Sequence, residues 1–213
     1  MLFSYIHYKM SREHHIIYIP GLFDTHPVNR PFHNLAQAAW RKKGFHPHLY
    51  LPHWEEGHHF TPKLKGITHL IDALVQQGNI VSLVGQSAGG SAALNAFCER
   101  RDKVNGVVNI TGRLRSGVNV RPTLQQAARI SPAFKESVLL FERENEPILR
   151  PSDRKKIMTI RPWFDETVPA STVPLDGATN LVAPIVEHSS GGGFISIVWT
   201  SKFLEFLKEL NRE

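Results

Sequence analysis

The stretch that most constrains the fold is NIVSLVGQSAGGSAALNAF, residues 79–97. Five of the six residues from Ile80 to Gly85 are apolar or glycine, as burial requires, and the chain then changes character at one serine, Ser87, held between Gly85 and Gly89. Ala88, Gly89, Gly90, Ser91, Ala92 and Ala93 follow. Side chains this small let a helix lie close against the strand it leaves, and the glycines allow a turn in which a larger side chain would collide. A buried strand passing at once into a helix predicts layered α/β packing.

The rest of the sequence alternates in the same way. HIIYIPG (15–21), FHPHLYLP (45–52), VNGVVNI (104–110), KIMTIRP (156–162) and TNLVAPIV (179–186) read as further strands. Residues 31–44 and 61–78 carry apolar residues at steps of three and four and end on glycine, which predicts amphipathic helices. The C-terminal segment reads as one helix in which Ile195, Trp199, Phe203, Phe206, Leu207 and Leu210 share a face. About six mostly parallel strands with helices on both faces are expected, in a single domain spanning 1–213. Residues 111–150 interrupt the alternation with an Arg-rich loop and one or two helices broken near Ser131-Pro132. Their apolar residues Phe134, Val138, Leu139, Leu140 and Phe141 suggest a short helical lid over the strand ends.

Composition excludes several function classes. Cys98 is the only cysteine, so neither an internal disulfide nor a paired-cysteine metal site is expected. His7, Lys9 and Arg12 interrupt the apolar N-terminus before a signal-peptide core forms, and no run has the ~18 apolar residues of a membrane span. A cytoplasmic setting is the expectation. The formal charge of +6 arises from basic residues scattered along the chain without interleaved aromatics, which reads as a solvated surface and not as a nucleic-acid site. His53, Glu55, Glu56, His58 and His59 cluster in a loop, but their spacing matches no helical His-Glu-x-x-His site, so no metal is expected. Cys98 reads as a small core residue. Arg113, Arg115 and Arg121 read as a solvated loop, with contact to an anionic acyl group as the alternative.

Gly85-x-Ser87-x-Gly89 between strand and helix has the spacing of a nucleophile elbow, and from His15 to the C-terminal helix the chain resembles a small α/β-hydrolase. That family's order is Ser, then Asp or Glu, then His. Of twelve histidines only His188 follows Ser87, in a Gly-rich loop where the family places its general base. Asp165, in an Asp-x-x-Val-Pro pattern beyond a strand, resembles the family's acid, with Glu166 and Asp176 as competitors. The resemblance implies an oxyanion hole from the backbone amides of Ala88 and Leu22, with Phe23 next in line. It further implies cleavage of a small-molecule acyl substrate, an ester, thioester or amide, with no cofactor. A non-catalytic ligand-binding member of the same fold is the alternative.

Overall fold

The computed structural model describes residues 12–57 and 59–212. His7, Lys9 and His58 lie outside the described residues. Six strands form one sheet: β1 (His14–Ile19), β2 (His46–Leu49), β3 (Ile80–Gln86), β4 (Val104–Ile110), β5 (Ile157–Phe164) and β6 (Thr179–Val186). Their order is β2-β1-β3-β4-β5-β6, and all five pairings are parallel. Pro47 is tolerated within β2 because that strand lies at the sheet edge, where a missing backbone donor costs little.

Alternation along the strands builds a core on each face. Ile17, Ile19, Val81, Leu83 and Val107 point to one side, where they meet α2 (Thr61–Gln76), α3 (Ala88–Glu99) and, later in the chain, α5 (Pro132–Leu140). Ile16, Tyr18, Val84, Val108 and Ile160 point to the other, against α1 (Arg30–Arg41) and the two C-terminal helices. Each fully buried aliphatic side chain contributes roughly 1.5–3 kcal/mol. Cys98 is buried as expected, and burial pushes its thiol pKa up to about 12.

Residues 111–150 contain α4 (Leu124–Ala127) and α5, which continues into a π-helical turn over Phe141–Asn145; α6 (Pro151–Arg154) then leads into β5. Ser131 caps α5 by accepting the Phe134 N–H at 3.2 Å. The helix is tied to α3 through Ser137, whose hydroxyl lies 2.7 Å from Ser91 Oγ and whose carbonyl accepts from Asn95. Val138 and Phe141 are fully buried in the core, whereas Phe134 borders a cavity beside Ser87. The solvated-loop reading of the arginines holds only for Arg121. Arg113 is buried, its guanidinium donating to the carbonyls of Arg115, Ser116 and Pro122, and Arg115 pairs with Glu146.

The C-terminal segment is two helices, not one: α7 (His188–Ile197) and α8 (Thr200–Glu209). Trp199 leaves helical geometry at ψ 11°, and the change of direction lets Ile195 of α7 and Phe203, Leu204 and Leu207 of α8 all enter the same core. His188 is accordingly the first residue of a helix and not part of a loop.

Candidate active site

In a parallel sheet the carboxyl ends of the strands open onto the ligand crevice. Ser87 follows β3 directly and adopts φ 52°, ψ −120°, a conformation that costs a non-glycine residue roughly 1–3 kcal/mol. The surroundings hold it there. Its N–H donates to Ile110 O at 2.8 Å, and its carbonyl accepts from Gly90 N at 3.0 Å. A Cβ on Gly85 would lie 2.2 Å from Gly89 O, and one on Gly89 only 2.0 Å from Ile19 O, so the turn closes only with glycine at both positions.

Three sequence-selected residues meet at this turn. Ser87 Oγ lies 2.9 Å from His188 Nε2, and His188 Nδ1 lies 2.8 Å from Asp165 Oδ2. Asp165 stands at the end of β5 and His188 just past β6, so adjacent strand ends bring acid and imidazole together. The Asp165 side chain is 3% exposed, and its second oxygen accepts the N–H groups of Thr167 and Val168 at 2.9 and 2.7 Å. These two bonds satisfy a buried carboxylate and fix which oxygen faces the histidine. Such a chain can move a proton from hydroxyl to imidazole while the carboxylate stabilises the resulting cation.

Of the two competing acids, Asp176 is not brought to His188; its carbonyl accepts from Arg154. Glu166 does reach the histidine, through the backbone: its carboxylate accepts the His188 N–H at 3.1 Å, at the positive end of α7.

Leu22 and Ala88 flank Ser87 along one cavity wall. The Ala88 amide is in the first turn of α3, where backbone donors lack intrahelical partners. The Phe23 amide donates to Glu55 Oε1 at 2.7 Å, which leaves Leu22 as the candidate donor on that loop. Asp24 anchors the same loop by accepting the N–H groups of His53 and Trp54, and Trp54 donates its indole N–H to Pro20 O. Sequence reasoning missed these roles for Asp24, Glu55 and Glu166. Only Glu166 left a signal, its adjacency to the chosen acid. His53 and His59 pair with Glu56 and Glu136 respectively, so among the described residues that cluster does not converge.

Ser87 stands where two cavities meet. One, about 210 Å³, is bordered by Ala88, Gln126, Ala127, Phe134 and Val168. The other, about 710 Å³, is a wider groove bordered by Tyr18, Phe32, His33, Gln86, His188 and Phe194. Burial raises the pKa of the Tyr18 phenol, so it stays protonated and donates to Gln86 Oε1.

No family model matches the chain, and no curated protein matches it in sequence. Solved structures do match in fold. A chain from the structure of the metagenome-derived lipolytic enzymes LipS and LipT superposes with a TM-score of 0.68 at 12% identity, covering 93% of this chain and 94% of that one. Est1E from Butyrivibrio proteoclasticus gives 0.64 at 13% identity, covering 95% and 90%. The meta-cleavage product hydrolase from Pseudomonas fluorescens IP01 gives 0.57 at 14%, covering 95% and 92%. With its parallel six-stranded sheet and helices on both faces, the chain has the α/β-hydrolase fold.

Proposed function

We propose that this protein is a serine hydrolase that cleaves a carboxylic ester or thioester through an acyl-enzyme intermediate. The observation that carries the reading is the unbroken chain of hydrogen bonds from Ser87 through His188 to Asp165 at the junction of two cavities. Lipolytic enzymes and a meta-cleavage product hydrolase among the fold's structural neighbours are in keeping with it.

Ser87 Oγ attacks the substrate carbonyl carbon as His188 Nε2 takes its proton. The carbonyl electrons move to oxygen, and the amide N–H groups of Ala88 and Leu22 bind the oxyanion. Collapse breaks the bond to the leaving group, which receives its proton from His188. A water then gives a proton to His188 and attacks the acyl-serine; the acid departs and Ser87 recovers its proton. Asp165 holds the imidazole and stabilises its cationic form throughout.

The leaving group must lie on the imidazole side to collect its proton. His188 borders the wide groove and Ala88 the small cavity, so the groove takes the alcohol or thiol and the cavity takes the acyl group. At about 210 Å³ against about 710 Å³, the cavity is much the smaller of the two spaces. Short to medium acyl chains with bulky leaving groups follow.

The test is a p-nitrophenyl ester series from acetyl to palmitoyl, with matched thioesters, on wild type and Ser87→Ala. The expected result is serine-dependent turnover that peaks at short to medium acyl length. Turnover of no ester or thioester by the folded protein would contradict the reading and favour a ligand-binding role.

A further inference from the structure

The opposite end of the sheet carries a second group of chemistry-bearing side chains. Glu13 and His15 are two residues apart, hence on the same face of the chain entering β1. Parallel pairing sets His46 of β2 level with His15 and places His48 one period further along. Strand geometry therefore gathers one carboxylate and three imidazoles on one face of the sheet edge.

Glu13 Oε2 lies 3.3 Å from His15 Nε2 and 3.9 Å from His46 Nε2, and the three atoms are all within 4.8 Å of one another. A tetrahedral ion with bonds of about 2.0–2.2 Å sets its ligand atoms roughly 3.3–3.6 Å apart. His15 is held for this task. Its side chain is 10% exposed, and its Nδ1 lies 2.7 Å from His48 Nε2, an outer hydrogen bond of the kind that orients a ligating imidazole and fixes its tautomer. The backbone at Glu13 is fixed as well, its carbonyl accepting the Ile80 N–H at 2.9 Å. The His15 and His46 rings stack at 5.0 Å and 18°, so closing on an ion requires the His46 ring to turn. It is free to do so, since the side chains of His46 and Glu13 are 50% and 55% exposed.

We propose that Glu13, His15 and His46 form a binding site for one divalent transition cation of the Zn²⁺ type, with His48 as the residue that positions His15. Two imidazoles and one carboxylate are a donor set for such ions and a poor one for Mg²⁺ or Ca²⁺, which require oxygen ligands. The site is remote from Ser87, which stands at the carboxyl end of the parallel strands. Zn²⁺ here would clamp β1 to the edge strand β2.

The test is calorimetric titration of tag-free, chelator-stripped full chain with ZnCl₂, with circular dichroism confirming that each variant is folded. Wild type should take up one equivalent and melt at a higher temperature with Zn²⁺ than without. His46→Ala and Glu13→Gln should weaken binding at least about tenfold, and His48→Gln should weaken it about 10–100-fold by releasing His15. His53→Ala and His188→Ala should leave it unchanged. No uptake by wild type at micromolar Zn²⁺, uptake unchanged in folded His46→Ala, or uptake lost in His188→Ala would overturn the proposal.

Discussion

The carboxylate of Glu166 accepts the backbone N–H of His188 at 3.1 Å, while the neighbouring Asp165 holds the ring of the same histidine at 2.8 Å. Two consecutive acids thus secure one residue, one through its main chain and the other through its imidazole. Glu166 is exposed, so its contribution is that of a solvent-accessible bond at a helix start, about 0.5–1 kcal/mol. Glu166→Gln keeps an acceptor oxygen and should leave kcat/KM nearly unchanged. Glu166→Ala should lower it a few-fold, and a loss on the order of 10²-fold in either variant would shift the acid's role toward Glu166.

Asp165→Asn should cost at least ~10²-fold in kcat/KM near neutral pH, in line with the general behaviour of such triads. One carboxylate oxygen already accepts the Thr167 and Val168 N–H groups, so the amide oxygen of asparagine will occupy that place. Its NH₂ then faces His188 Nδ1 and selects the wrong tautomer. Near-wild-type kinetics in a stably folded Asp165→Asn would remove it from the mechanism.

Phe134 and Phe141 should separate specificity from stability. Phe141 is fully buried within the core, so Phe141→Ala should lower stability by about 3–5 kcal/mol without altering acyl preference. Phe134 borders the 210 Å³ cavity, and Phe134→Ala should shift the preferred ester toward longer acyl chains. An unchanged chain-length profile in Phe134→Ala would show that this cavity does not receive the acyl group.

His33 lends the fold a pH dependence. Burial lowers its imidazole pKa, with the Asp24 carboxylate opposing, so the folded protein favours the neutral ring. The unfolded chain accepts the proton near the ordinary value of 6.5. Stability is therefore greatest above pH 6.5 and declines as the pH falls from there toward the depressed folded value. His14 and His48, also lowered chiefly by burial, act in the same direction. Melting temperatures of wild type and His33→Gln between pH 7.5 and 5 should show a shallower decline in the variant; parallel curves would contradict this account.

The sheet was legible because β1, β3, β4 and β6 are short segments rich in Ile, Val and Leu, and β4 and β6 span the expected residues. The turn at Ser87 was legible because its glycines are demanded locally, by contacts within a few residues and with the adjacent strand. Other features rest on contacts between distant segments. The Glu55 bond to the Phe23 amide joins residues 32 apart, and nothing in either stretch announces the other. The start of α7 was obscured by Ser-Ser-Gly-Gly-Gly, whose weak helix propensity reads as loop until Glu166 is seen at its N-terminus. The Glu-x-His and His-x-His pairs gained meaning only from the β1–β2 register.

If Ser87 is a nucleophile activated by His188, its hydroxyl will react covalently with an electrophilic phosphorus reagent. The most direct measurement is labelling with a fluorophosphonate, followed by mass spectrometry of the intact protein and its peptides. One adduct per chain is expected, on the peptide containing Ser87, absent in Ser87→Ala and formed far more slowly in His188→Ala. Labelling of Ser87→Ala at the wild-type rate, or of His188→Ala as fast as wild type, would contradict it.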